Sequence, residues 1–549
     1  MYIMKEINKI FFILFLFFLN TSSKIEKMKD IKDLTLEEKL GQLLVIGFHE
    51  PILTDETKFL IRKYKFGNFI LFARNIIDIT QLEKLTRDIH EEVMNSIGIM
   101  PFIAIDQEGG NTVRIMDKST FYPGSMTLAA TDLSNAEIIG HMMGKHLISL
   151  GINMNFAPVL DINNNPKNPI IGIRSYSDKP ETVSKYGIEL IKGMQSEGVI
   201  ATGKHFPGHG DVEMDSHLGL PILPFDKKRL YNMELKPFIE AINNGVQNIM
   251  AAHIVFQEVD KENPATISKD ILKGILRDEL NFTGLITSDC MEMNAISETI
   301  TTPKGVLRGI IAGDDLVLVS HTKQRQIDSI NLLKVSFGNK FISIEEIDEK
   351  IERILKHKNE IFSIMKKKFF NNDNNLEIFN DDEQQKILQN IVDSSLTYVN
   401  GKKLQLKGKT LIYWCKQFAS TIAEDILSGD NLNDLITKEI PSAETLEYNV
   451  NQYSEKLVNE SKKYDTVIFI SFNAFSYQNQ TKMINEINEI CSNFYVISIR
   501  NPYDYLYLNQ TINFYTLYES TPNSMRTIIK FLKGEIDAKG RLPVTLSFS

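Results

Sequence analysis

Between Lys204 and His217 the chain reads KHFPGHGDVEMDSH, three histidines and two aspartates among glycines, directly after the apolar run GVIATG. Residues of these types at this density can move protons or hold a divalent ion. In the closing triplet Asp215 and His217 lie two residues apart. An extended loop turns such a pair to one side, where the carboxylate can orient the imidazole and stabilise its charge. Three readings stand side by side. The segment is a proton-transfer dyad, a metal cluster drawn from His205, His209, Asp211, Asp215 and His217, or a polar loop whose histidines satisfy backbone groups. The spacing matches no zinc signature, and the dyad does not require the other three side chains to converge.

A second candidate is Asp289, at the end of the apolar run in TGLITSDCMEM. A carboxylate closing a core strand is costly unless it is paired or functional. It is therefore a ligand, a nucleophile, or the N-cap of the next turn. Asp106 in IDQEGG, Arg114 downstream of it and Arg174 in NPIIGIRSYS can bond sugar hydroxyls or acidic groups, or can form structural ion pairs.

These residues need a scaffold, and the chain supplies a β/α rhythm. Strands are expected at Leu43 to Phe48, Gly67 to Phe72, Phe102 to Ile105, Ile152 to Val159, Val199 to Lys204, Asn248 to His253, Gly284 to Ser288 and Leu316 to Ser320. Helical patterns such as Gln81 to Met94, Ala136 to Leu150, Glu181 to Glu197, Lys228 to Asn243 and Lys269 to Leu280 lie between them. Eight units predict an α/β fold, a (β/α)8 TIM-like barrel, with active residues just past the strand C-termini. Asp106, Asp161, His205, His253 and Asp289 all sit there. An open doubly wound sheet would place polar groups similarly.

Past the charged helix Ile344 to Met365, an Asn/Asp-rich stretch marks a boundary, and alternation resumes with strands at Thr410 to Trp414, Thr466 to Ser471, Phe494 to Ile499 and Phe514 to Leu517. The expected organisation is a leader at 1–23, the barrel at 30–370, a linker at 371–384 and a smaller α/β sandwich domain at 385–549.

Composition narrows the function. With 549 residues the chain exceeds one core, and 43% apolar with 24% charged residues is ordinary for a globular protein. A net charge of −9 without a Lys/Arg block argues against nucleic-acid binding. Cys290, Cys415 and Cys491 form no CxxC and read as small core residues. Lys5 and Lys9 precede the run Ile10 to Leu19, which suits a signal peptide better than a full membrane span. Thr21, Ser22 and Ser23 follow it. The leader reads as a cleaved signal peptide or an uncleaved membrane anchor. Either makes the chain exported, periplasmic or envelope-associated.

IDQEGG with Arg114, APVLDINNNPKNPIIGIRSYSDKP, KHFPGHGDVEMDSH and GLITSDCMEM resemble, in this order, the signature segments of glycoside hydrolase family 3, and the DSH loop resembles its bacterial β-N-acetylglucosaminidase branch. RNPYDY and GRLPVTL resemble the second domain of two-domain members. The resemblance implies a retaining enzyme that removes terminal β-linked N-acetylglucosamine from peptidoglycan fragments, including muropeptides, or from related glycans. It makes Asp289 the nucleophile and His217 the general acid/base, oriented by Asp215. It makes Asp106, Arg114, Arg174, Lys204 and His205 sugar contacts, and it implies no metal or other cofactor. Asn111, where arginine is frequent, and Cys290, where an acidic or small residue is common, depart from the pattern and bear on the sugar subsite. Rival expectations are a β-glucosidase or β-xylosidase, a phosphorylase of the same family, and a non-catalytic glycan-binding protein.

Overall fold

In the computed structural model, which describes residues 27–547 apart from 216, 218, 373–374, 426 and 428–431, eight strands lie side by side in chain order. They are β1 (Leu44–Ile46), β2 (Asn68–Leu71), β3 (Phe102–Ile105), β4 (Met154–Asn155), β5 (Ile200–Phe206), β6 (Asn248–Ala251), β7 (Leu285–Ser288) and β8 (Val317–Val319). All neighbours are parallel. β8 pairs with β1 from Leu44↔Val317 to Ile46↔Val319, and a bridge Thr287↔Leu316 joins β7 to the approach of β8, closing the barrel. Each strand is buried on both faces, which is why it reads as a short, nearly continuous apolar run. Three polar strand residues bond one another inside the barrel. Thr287 Oγ1 donates to Asn248 Oδ1 at 2.8 Å, and Asn248 Nδ2 donates to Thr202 Oγ1 at 3.0 Å.

The surrounding helices carry ordinary start and stop signals. In Ile79–Ile97, Asp78 accepts the Gln81 N–H, and Gly98 ends the helix at φ 80°, a left-handed conformation that favours glycine. Leu82, Leu85, Ile89, Val93 and Ile97 face the barrel. The helix expected from Lys228 to Asn243 is two, Lys227–Asn232 and Lys236–Asn243, because Pro237 is tolerated in a first turn and not in a helix interior. The apolar run Ile10 to Leu19 and the residues Thr21 to Ser23 lie outside the described residues. Among the described residues no helix is long and apolar enough to cross a membrane.

The second sheet contains β9 (Thr397–Asn400), β10 (Thr410–Trp414), β11 (Ala443–Glu447), β12 (Thr466–Ser471), β13 (Phe494–Ser498) and β14 (Asn513–Thr516). Its order is β9-β14-β13-β12-β10-β11, parallel except for β9 against β14. β9 and β11, which the apolar alternation did not reveal, are its two edges. Edge strands keep a polar side to water, and TYVN and AETLE show it. Cys290 is buried in the barrel core and Cys415 in the core of this second domain, while Cys491 is half-buried.

The two domains share a buried seam. Tyr503, of RNPYDY, and Val544, of GRLPVTL, pack with Met126, Ala130, Ile173 and Tyr518. Glu519 of the second domain reaches the first turn of the helix Ser125–Ala129, where its Oε2 accepts the Gly124 N–H at 2.8 Å and the Thr127 hydroxyl at 2.7 Å. Thr521 Oγ1 donates to its Oε1 at 2.7 Å. Burial pushes this carboxyl up, and those donors oppose the shift. Glu519→Ala strands the amide and hydroxyl donors in a buried seam, so it should lower unfolding stability by roughly 1–3 kcal/mol. Urea unfolding measures this; a variant as stable as the wild type would mean that the seam does not depend on the carboxylate.

Candidate active site

The strand C-termini surround a cavity of about 340 Å³, within the roughly 300–1,000 Å³ of small-molecule sites. Of the residues singled out in the sequence, Asp106, Arg114, Arg174, Lys204, His205, His217 and Asp289 line it. Asp215 stands behind His217.

Asp289 is the first residue past β7. Its N–H bonds to the Ala251 carbonyl of β6 at 3.0 Å, which fixes the backbone, and its Oδ1 accepts the Cys290 N–H at 2.7 Å. Burial would raise this carboxyl, but the imidazoles of His253, His205 and His217 outweigh it and hold the group at about 2. The result is an anion kept ionised in a desolvated place. His253 faces it from the end of β6. Its Nε2 must donate to the Cys290 carbonyl, 2.9 Å away, so its Nδ1 accepts the Thr266 hydroxyl at 2.8 Å. Burial lowers its pKa, consistent with that neutral tautomer.

His217 occupies a turn rather than the extended loop expected. Asp215 Oδ1 folds back to accept both the His217 N–H at 2.9 Å and Nδ1–H at 2.7 Å, an Asx-type arrangement that brings the two side chains together locally. Those bonds stabilise the ionised form of Asp215 and lower its pKa against the upward push of burial. With Nδ1 engaged, Nε2 is the nitrogen left for the cavity.

The opposite wall is a charge network. Glu108 takes a two-pronged bond from Arg174, Nε to Oε2 at 2.9 Å and Nη2 to Oε1 at 2.8 Å, and Lys204 Nζ lies 2.7 Å from the same Oε1. Lys204 also donates to Asp106 Oδ1 at 2.9 Å, and Arg114 Nη2 lies 3.8 Å from Asp106 Oδ2. Burial would raise the Glu108 carboxyl, but Arg174 and Lys204 drive it far below the usual carboxylate range. Arg174 is thus both an ion-pair partner and a cavity wall.

His205 is held from behind by Asp161, whose Oδ2 is 2.7 Å from Nδ1. The other oxygen accepts the N–H groups of His205 at 3.1 Å and His209 at 2.7 Å. Burial pushes His209 down to about 4. The residues of the metal reading do not converge: the His205 ring and the His209 backbone N–H go to Asp161, the His217 ring to Asp215, and Asp211 to Arg229 at 3.2 Å and Asn164 at 3.3 Å.

Glu108 and Asp161 had a legible signal that pointed to no role: one lies inside IDQEGG, the other at a strand end. Asp425, which reaches Arg114 from the second domain, had none. Asn111 does not line the cavity. Its amide donates to Ser520 Oγ at 2.8 Å and its carbonyl accepts the Ser520 N–H at 3.1 Å, so this departure serves the domain seam. Burial raises the Cys290 thiol to about 12, which keeps it neutral beside Asp289.

An ionised carboxylate and a carboxylate-held imidazole opening on one cavity, opposite a wall of hydroxyl-binding charges, are what acid/base-assisted cleavage of a glycoside requires. Barrel and site together define a glycosidase. Residues 35–357 match the glycosyl hydrolase family 3 N terminal domain, and the chain belongs to that family. A β-hexosaminidase A from Pseudoalteromonas piscicida is 36% identical over 320 residues, covering 52% of this chain and 54% of that protein, so the match spans about half of that relative. A β-hexosaminidase from Hydrogenovibrio crunogenus is 32% identical over 52% of this chain and 81% of its own length. Among solved structures, a glycoside hydrolase family 3 β-N-acetylglucosaminidase from Paenibacillus sp. str. FPU-7 superposes with a TM-score of 0.86 at 34% identity, over 94% of this chain and 100% of the other.

Glu108→Gln removes the anion that neutralises Arg174 and should cost roughly 3–5 kcal/mol of unfolding stability. The pH dependence has a definite sign. The folded carboxyl titrates below its unfolded range, so its contribution is complete above about pH 5 and is lost as pH falls through the carboxyl range. Urea unfolding between about pH 5 and pH 3 should therefore show a steeper loss for the wild type than for Glu108→Gln. Parallel losses would contradict an ionised Glu108.

Proposed function

We propose that the chain is a retaining exo-β-N-acetylglucosaminidase that takes terminal N-acetylglucosamine from peptidoglycan fragments or related glycans. The observation that carries this reading is the Asp215–His217 pair, placed on the same cavity as the ionised Asp289. The names of the relatives and of the Paenibacillus enzyme support the sugar, and the apolar leader in the sequence supports an exported enzyme acting in the cell envelope.

Asp289 attacks the anomeric carbon as the bond to the leaving oxygen breaks, and His217 gives that oxygen its Nε2 proton. A glycosyl ester on Asp289 results. His217, now neutral, takes a proton from water; the water oxygen bonds to the anomeric carbon and the Asp289 carboxylate departs. Asp215 keeps the imidazole in the tautomer that presents Nε2. Asp106, Arg114, Arg174, Lys204 and His205 hold the sugar.

Hydrolysis of 4-nitrophenyl N-acetyl-β-glucosaminide in preference to the β-glucoside and β-xyloside is the first check; preference for glucose or xylose would overturn the assignment. Release of N-acetylglucosamine from purified cell-wall fragments, unchanged by added phosphate, would support the substrate, whereas a sugar 1-phosphate would reveal phosphorolysis. Binding without turnover would leave only a glycan-binding protein.

Asp289→Ala should lower kcat by more than about 10³-fold while leaving the fold intact. His217→Ala should slow substrates with poor leaving groups most, because activated phenols depart without a proton. Asp215→Asn removes the negative charge that favours the imidazolium, so the alkaline limb of kcat/KM should move to lower pH. An unmoved limb would dissolve the dyad.

A further inference from the structure

The cavity is not built by the barrel alone. Ile422, Ala423 and Asp425 of the second domain line it together with Asp289 and His217. They lie on the segment that leaves the C-terminal end of β10, where the strand order of the second sheet reverses between β11 and β12. That is where open α/β sheets place ligand-binding loops. Here the loop leans into the mouth of another domain.

Its position is fixed from behind. Glu424, between two cavity-lining residues, makes a buried two-pronged pair with Arg500, and its Oε2 also accepts the Ser420 N–H at 2.9 Å. The Phe418 ring packs 4.7 Å from Phe472 and 6.2 Å from Tyr477. Alternating residues thus point opposite ways: Glu424 inward to its own domain, Asp425 outward to the barrel.

Arg114 receives what the loop presents. Its Nη1 donates to the Ala423 carbonyl at 2.9 Å and to Asp425 Oδ2 at 2.8 Å, while Nη2 approaches Asp106 Oδ2 at 3.8 Å. Its Nε is buried and has no partner among the described residues. The Arg114 side chain is nine-tenths buried, at 9% exposure, and the Asp425 side chain is 33% exposed. Only Oδ2 of Asp425 is engaged among the described residues.

We propose that Asp425 is a substrate-contacting specificity residue, whose free Oδ1 accepts a ring hydroxyl of the terminal sugar while its Oδ2 holds Arg114 for the same sugar. The second domain then completes the sugar site, and Asp106 and Asp425 form two carboxylate jaws bridged by one guanidinium. Two acceptors on opposite sides of Arg114 favour one arrangement of hydroxyls over its epimer, because the mismatched epimer leaves an acceptor oxygen, cut off from solvent by the sugar, without its hydrogen bond.

This inference rests on the glycosidase reading, and the experiment separates the two. The full chain, Asp425→Asn and Asp425→Ala are assayed on the 4-nitrophenyl β-glycosides of N-acetylglucosamine and its 4-epimer N-acetylgalactosamine, with thermal unfolding alongside. Failure of the wild type to cleave either sugar would overturn the N-acetylglucosaminidase reading itself, and this proposal with it. Given an active wild type, Asp425→Ala should raise KM for N-acetylglucosaminide by about tenfold or more, while kcat falls less than about threefold. Asp425→Asn should fall between, the preference over the epimer should narrow, and the limbs of the kcat pH profile should stay in place. KM within about twofold of wild type in both variants would overturn the proposal. So would a loss of kcat that tracks a lowered unfolding temperature at unchanged KM, since that pattern marks a merely structural contact.

Discussion

Glu108 lies between two buried cations, with Arg174 and Lys204 on one oxygen at 2.8 and 2.7 Å, and the rest of the site is arranged around that contact. Three strand ends meet there: β3 through Glu108, the loop after β4 through Arg174, and β5 through Lys204. Taken singly, each charge would be expensive to bury; together they compensate one another. Lys204, anchored by Glu108, keeps a second bond to Asp106, which in turn faces Arg114. A rigid row of alternating charges results. Such a row can offer a sugar's hydroxyls both donors and acceptors without reorganising, which is the electrostatic advantage of a preformed site over water.

Across the cavity the problem is reversed, because Asp289 must stay ionised with little solvent around it. Among the described residues no arginine or lysine pairs with it directly. The imidazoles of His253, His205 and His217 and the Cys290 N–H stabilise it instead, which suits the nucleophile role proposed for it. A tight ion pair would hold the negative charge too firmly. Softer neighbours keep the anion available while outweighing the cost of burial.

The barrel was legible because its strands are buried on both faces and its helices carry caps, so apolar runs and punctuation alternate with little ambiguity. β9 and β11 were not, since edge strands mix polar and apolar residues and Ala443–Glu447 has no fully buried position. The site was legible where a motif brings its residues into one turn, as with Asp215 and His217, or where a strand end carries a charge. It was illegible across the chain. Arg114 and Asp425 are 311 residues apart, and neither the sequence around Ile422 nor its loop-like composition points to a barrel built by another segment. Asn111 was readable as a departure, yet its partner Ser520 could be found only once the second domain was in place. Spacing encodes local geometry; a seam between domains leaves no spacing to read.

The motif Lys204 to His217 supplies the histidines of two histidine–aspartate pairs that differ in one physical respect. In the first, His205 is 9% exposed and Asp161 not at all, and that aspartate also anchors two backbone N–H groups. In the second, His217 is 27% exposed and sits on a turn. A group that clamps a sugar gains from immobility and dryness. A group that protonates one oxygen and later deprotonates water must meet solvent between the two steps, so the same pair of side chains has to stand at the rim. Placement, more than residue type, separates the two pairs, and it suits Asp215 and His217 to the proton transfer proposed for them and Asp161 and His205 to positioning.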